Sequence, residues 1–143
     1  MSEIAERQQK IVAEFEPLTS WEDKYSHVIQ LGKDLNPIAE KYQNDEYRVR
    51  GCQSVVWMFA EVDEDKRLKI LADAEAEAKI VRGLISILLR VYSGAKLSEI
   101  LVSKNDFLDQ IGLSTHLSPS RANGLNSMLK QIKFYALAYS AKQ

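Results

Sequence analysis

One side chain in this 143-residue chain combines a reactive type with a setting that presents it: Cys52, the only cysteine. It follows Gly51 and precedes the polar pair Gln53-Ser54, at a point where two expected strands connect, and a connection exposes a side chain rather than packing it. Free cysteines more often fill small apolar gaps than act as nucleophiles. A packing cysteine, however, belongs inside a strand or helix among apolar neighbours. A thiol in a loop reacts through its thiolate with sulfur or other electrophiles. Gly51 reads either as a turn glycine or as a residue whose missing side chain lets a partner backbone approach Cys52.

Arg121 is the second candidate. It falls in the first turn of an expected helix, where a cation opposes the positive end of the helix dipole, so its charge points to a role elsewhere. A guanidinium keeps its charge and offers several donors, which suits a carboxylate, thiolate or persulfide. His116 reads either as a loop cap or as a proton donor. Trp57, with Val55 and Phe59, reads as core rather than contact.

One thiol cannot form an intramolecular disulfide or fill a Cys-rich zinc or iron-sulfur site. Cys52, His27, His116 and a carboxylate suffice arithmetically for a mixed metal site, but no Cys-x-x-Cys or His-x-x-x-His spacing supports one. A cysteine hydrolase or acyltransferase pairing Cys52 with His116 lacks an oxyanion-hole glycine cluster or a helix start directly after the thiol.

The rest of the chain must hold these residues in place. A 45% hydrophobic share, spread along the whole length, suffices for one substantial core. Nineteen Lys plus Arg against 20 Asp plus Glu, mostly interleaved, give no basic field for a nucleic-acid partner. Arg82, Ser86 and Arg90 interrupt the most apolar stretch, far short of the roughly 18 to 20 residues of a membrane span. The polar start, Met1 to Lys10, lacks the apolar core of a signal peptide, so a cytoplasmic protein is expected.

Helical spacing predicts an amphipathic helix from Ser2 to the stop at Pro17, and a second from Ser20 to Gly32. After the turn at Leu35-Asn36-Pro37, alternation predicts strands over Tyr47–Arg50, Val55–Phe59 and Leu68–Ala72, an antiparallel meander with Cys52 at one end. From about Ala74 a central buried helix is expected, running to Tyr92 before Gly94. Shorter pieces follow around Ser98–Val102 and Phe107–Ile111. A long C-terminal helix then starts at Ser118-Pro119. The expected fold is α+β: one domain over residues 1–143, with a small antiparallel three-stranded sheet packed against several helices.

The stretch Gly51-Cys52-Gln53-Ser54-Val55-Val56-Trp57 resembles the GCQSxVW signature of the SufE family, the sulfur acceptors that partner cysteine desulfurases in iron-sulfur cluster assembly. Three further segments agree in order and spacing. They are Trp21–Tyr25 with Leu31-Gly32-Lys33, Ile80–Leu84 in the manner of an IVxGL helix, and Gly112-Leu113 through His116–Leu125 in the manner of an LSPSRxxGL element. One departure stands at Glu77, where family members commonly carry the Asp of Ser-Asp-Ala.

The resemblance implies that Cys52 takes sulfane sulfur from the persulfide of a pyridoxal-phosphate-dependent cysteine desulfurase, stimulates that enzyme, and passes the sulfur on to an iron-sulfur scaffold protein. It implies that Arg121 lines the site, with Gly51, Gln53 and His116 around it, and that the thiol loop folds back on the protein's own apolar surface until a partner engages. The cofactor then belongs to the partner. This chain needs no cofactor or metal, and is expected as a monomer or weak dimer that binds neither nucleic acid nor membrane. A binding module that activates a desulfurase without using the thiol is the alternative.

Overall fold

The computed structural model describes residues 2–142. Its first helix, α1 (Glu3–Phe15), starts where Ser2 Oγ accepts the Ala5 N–H at 3.1 Å, and α2 (Trp21–Lys33) starts where Ser20 Oγ accepts the Asp23 N–H at 3.1 Å. Each hydroxyl satisfies a donor that the first helical turn leaves unpaired. Two 3₁₀ turns, Glu40–Tyr42 and Asp45–Tyr47, lead into β1 (Val56–Val62), which pairs antiparallel with β2 (Arg67–Ala74). The central helix α3 (Lys79–Tyr92) follows, then β3 (Ala95–Lys96), α4 (Leu97–Val102), α5 (Asp106–Gln110), α6 (Leu113–His116) and the long α7 (Pro119–Ala141). The sheet order is β1-β2-β3, antiparallel throughout.

α3 buries residues on most of its circumference, because it lies between α2 on one side and the sheet on the other, with α1 and α7 also against it. Its contact with α2 is a backbone-to-backbone approach. A Cβ on Gly83 would stand 2.0 Å from the Val28 carbonyl oxygen, and one on Gly32 would stand 2.8 Å from the Gly83 nitrogen. Both motif glycines are therefore packing residues. α7 lies along the outer edge of β1, where the hydroxyls of Tyr135 and Tyr139 donate to the carbonyls of Met58 and Ala60 at 3.2 and 2.8 Å. Two tyrosines thus occupy carbonyls of an edge strand that would otherwise stay open to pairing.

The structure is the expected α+β fold, with four differences from the sequence expectation. The segment Tyr47–Arg50 is not a strand. Asn44 Oδ1 accepts the Glu46 N–H at 2.9 Å and winds the chain into the 3₁₀ turn, leaving a single bridge between Arg48 and Trp57. The third strand is instead Ala95–Lys96, brought to β2 by the return of the chain from α3. β1 also turns its other side inward. Val56, Met58 and Ala60 are buried, while Val55, Trp57 and Phe59 are only partly so, with Phe59 under Tyr42 and Tyr47. Both parities of this run are apolar, so alternation alone does not fix which one faces the core.

Finally, α3 begins at Lys79 rather than near Ala74. β2 runs on to Ala74 beside the buried Asp73, whose carboxylate takes the Arg82 Nε–H at 2.9 Å and the Ala74 N–H at 2.8 Å. A turn closed by the Ala78 N–H on the Glu75 carbonyl, at 2.9 Å, then leads into the helix.

Candidate functional site: a thiol loop on the C-terminal helix

Cys52 sits at the crown of a short loop whose ends are drawn together where the Val49 N–H donates to the Val56 carbonyl at 2.8 Å. Gly51 has φ +90°, a left-handed conformation that a side chain disfavours, and a Cβ there would stand 2.4 Å from Ser127 Oγ on α7. The loop consequently lies flat on α7. The Cys52 thiol points at that helix and reaches the Gly124 carbonyl at 3.6 Å, a distance suited to a weak S–H donor.

The thiol also lines a cavity of about 400 Å³ between the loop, α3 and the start of α7. Val56, Val81, Leu84, Leu125 and Met128 form its apolar side, and Gln53, Ser54, Ser118, Ser120 and Arg121 its polar side. Arg121 is held in the first turn of α7, where its own N–H caps onto Ser118 Oγ at 3.4 Å while its side chain is left exposed.

Cys52 is half-buried and packs against the core, more sheltered than a loop position suggests. Burial pushes its thiol pKa up, because a thiolate loses more on desolvation than a neutral thiol, and the positive charge of Arg48 offsets part of that rise. The resting thiol is thereby held in its less reactive form.

Of the residues expected at the site, the structure brings Cys52, Gln53 and Arg121 to one cavity, with Gly51 as the loop's contact with α7. His116 is elsewhere: its ring stacks on Trp21 at 4.7 Å with an interplanar angle of 15°, and it is absent from the cavity lining. Four further residues shape the site without a signal of their own in residue type or spacing. Arg48 supplies the charge felt by the thiol, Ser127 and Gly124 form the surface under the loop, and Glu75 binds the backbone of Val55. Gly124 was visible as part of the SRxxGL run. Glu77, the departure from the family pattern, is exposed.

Among the described residues no cluster of three or more His, Cys, Asp or Glu side chains could hold a metal ion, and no helix is long and apolar enough to cross a membrane.

Fold and site together define an α+β domain that carries one sheltered thiol on a loop docked across its last helix. Residues 9–136 match the family model SufE, described as an Fe-S metabolism associated domain. The chain belongs to the SufE family. It is 42% identical over 87% of its length to an uncharacterised SufE-like protein of Rhizobium meliloti, covering 90% of that protein. It is 34% identical over 85% of its length to the cysteine desulfuration protein SufE of Wigglesworthia glossinidia brevipalpis, covering 84% of it. It is 36% identical over 82% of its length to the sulfur acceptor protein CsdE of Escherichia coli, covering 80% of that chain. The solution structure of a hypothetical protein from Thermus thermophilus shares the fold, with a TM-score of 0.75 at 17% identity over 92% of this chain and 94% of that one.

Proposed function

We propose that this protein accepts sulfur from a pyridoxal-phosphate-dependent cysteine desulfurase onto Cys52, stimulates that enzyme by clearing its persulfide, and hands the sulfur to an iron-sulfur scaffold protein. The observation that carries this reading is the placement of the one thiol, half-buried at the edge of a cavity that Arg121 also lines. Membership of a family whose named members include a cysteine desulfuration protein and a sulfur acceptor supports it.

The chemistry is thiol exchange. The Cys52 thiolate attacks the terminal sulfur of the partner's persulfide and a new S–S bond forms at Cys52. The partner's S–S bond breaks, and its cysteine leaves as a thiolate. No electrons are gained or lost overall, and the proton on the transferred sulfur travels with it. The protein's own contribution is access and charge. The loop must leave α7 to present the thiol, and Arg121 offers a cation to the anionic persulfide when the loop returns. The apolar side of the cavity keeps water and reductants from the stored sulfur.

The test is Cys52→Ser. A serine hydroxyl cannot form a persulfide, and the swap removes little packing, so melting is expected to stay within about 0.5 kcal/mol of the parent while stimulation of sulfide release by a desulfurase is lost. A Cys52→Ser protein that stimulates the desulfurase to the parent level contradicts the reading and favours a module that activates without using its thiol.

A further inference from the structure

The thiol loop hangs from two anchors. At its start the Val49 N–H reaches the Val56 carbonyl, an ordinary ladder bond at 2.8 Å. At its end one residue takes both backbone groups of Val55: Glu75 Oε1 accepts the Val55 N–H at 3.1 Å, and the Glu75 N–H donates to the Val55 carbonyl at 3.3 Å. Between the anchors lie five residues, Arg50 to Ser54. Glu75 is itself fixed, because it follows β2 directly and its carbonyl closes the turn into α3.

The landing side is softer. Cys52 meets Gly124 through one long S–H to carbonyl contact, and Gly51 meets Ser127, whose hydroxyl is the far end of a small side chain. Apart from the packing of Cys52 on the core and a 3.5 Å bond from the Arg50 side chain to the Asp45 carbonyl, little holds the crown, so the anchors decide which way the loop swings and where it comes back.

We propose that Glu75 is a positioning residue for sulfur transfer: its carboxylate pins Val55, so that Arg50–Ser54 pivots as one unit and returns Cys52 to Gly124. This rests on Cys52 being the sulfur-accepting thiol. A carboxylate acceptor makes a stronger bond to a backbone N–H than a neutral oxygen does. Without it, the peptide at Val55 is free to turn, the pivot shifts toward β1, and the closed position of the thiol loses its definition. Glu75 acts on the backbone and not on the sulfur, so the effect reads as access to the thiol.

The experiment compares Glu75→Ala and Glu75→Gln in the full chain, with iodoacetamide modification of Cys52 and hydrogen exchange at the Val55 amide as readouts. Glu75→Ala is expected to alkylate faster by on the order of tenfold, the worth of one such hydrogen bond, with faster exchange confined to Val55 and the loop. Glu75→Gln keeps a neutral oxygen at the same place and is expected to return both readouts part of the way.

An unchanged alkylation rate in Glu75→Ala overturns the proposal. So does faster exchange spread over the whole core, or a failure of Gln to rescue, since either makes Glu75 a general structural residue. Alkylation requires no desulfurase. A loop that loosens as expected beside a Cys52→Ser protein that keeps full stimulation would leave the anchor standing and remove the sulfur-acceptor reading.

Discussion

Two contacts in this molecule are made across glycine, and they are built in opposite ways. Where α2 crosses α3, Gly32 and Gly83 bring backbone onto backbone, and a methyl group at Gly83 would stand 2.0 Å from the Val28 carbonyl oxygen. Neither partner can yield without moving a helix. Where the thiol loop crosses α7, a methyl group at Gly124 would stand 3.6 Å from Cys52 Sγ, an ordinary van der Waals distance, and the close approach at Gly51 is to the tip of the Ser127 side chain. The first contact is fixed in the core. The second can be opened and remade at small cost, which suits the sulfur-acceptor role proposed for Cys52.

The largest effect that sharpens this contrast is Gly83→Ala. The clash forces α2 and α3 apart, at about 3 kcal/mol net of the better helix propensity of alanine, which lowers the melting temperature by roughly 10 °C. Gly124→Ala is expected to change stability in the other direction, by up to ~1 kcal/mol, because the new methyl group finds space and glycine is a poor residue inside a helix. Thermal melts of the two variants side by side check both signs. A fall of similar size in each would mean that the loop contact is as rigid as the helix crossing.

The smallest expected effect concerns pH. Burial favours the neutral thiol of Cys52, so its alkylation rate should rise with pH through a midpoint above that of free cysteine in the same buffer. Arg48→Gln removes the positive charge that offsets part of this rise, so it should move the midpoint further up and slow alkylation at neutral pH. Rate-against-pH curves for the parent and the variant settle the sign. A midpoint below that of free cysteine would mean a thiol already activated at rest.

What was legible in the sequence follows the same division. Periodicity and caps located α1, α2 and α7, since Ser2, Ser20 and Ser118 each accept the backbone N–H that their position predicts. The cysteine, its turn and Arg121 were legible from residue type and motif. The wrong strand at Tyr47–Arg50 came from alternation that a local Asn44 turn overrides, and the wrong face of β1 came from a run in which both parities are apolar. Glu75, Arg48 and Ser127 left no sequence signal. Their roles arise from meetings across the fold, Glu75 with Val55 through a β2 end that propensity assigned to a helix.

The central claim, that Cys52 receives sulfur, is tested most directly by mass spectrometry after incubating the protein with a pyridoxal-phosphate-dependent cysteine desulfurase and free cysteine. The account predicts a mass gain of one or more sulfur atoms, located on the peptide that carries Cys52 and removed by a thiol reductant. Sulfide release stimulated by the protein with its mass unchanged, or a sulfur gain located on any other peptide, would contradict it.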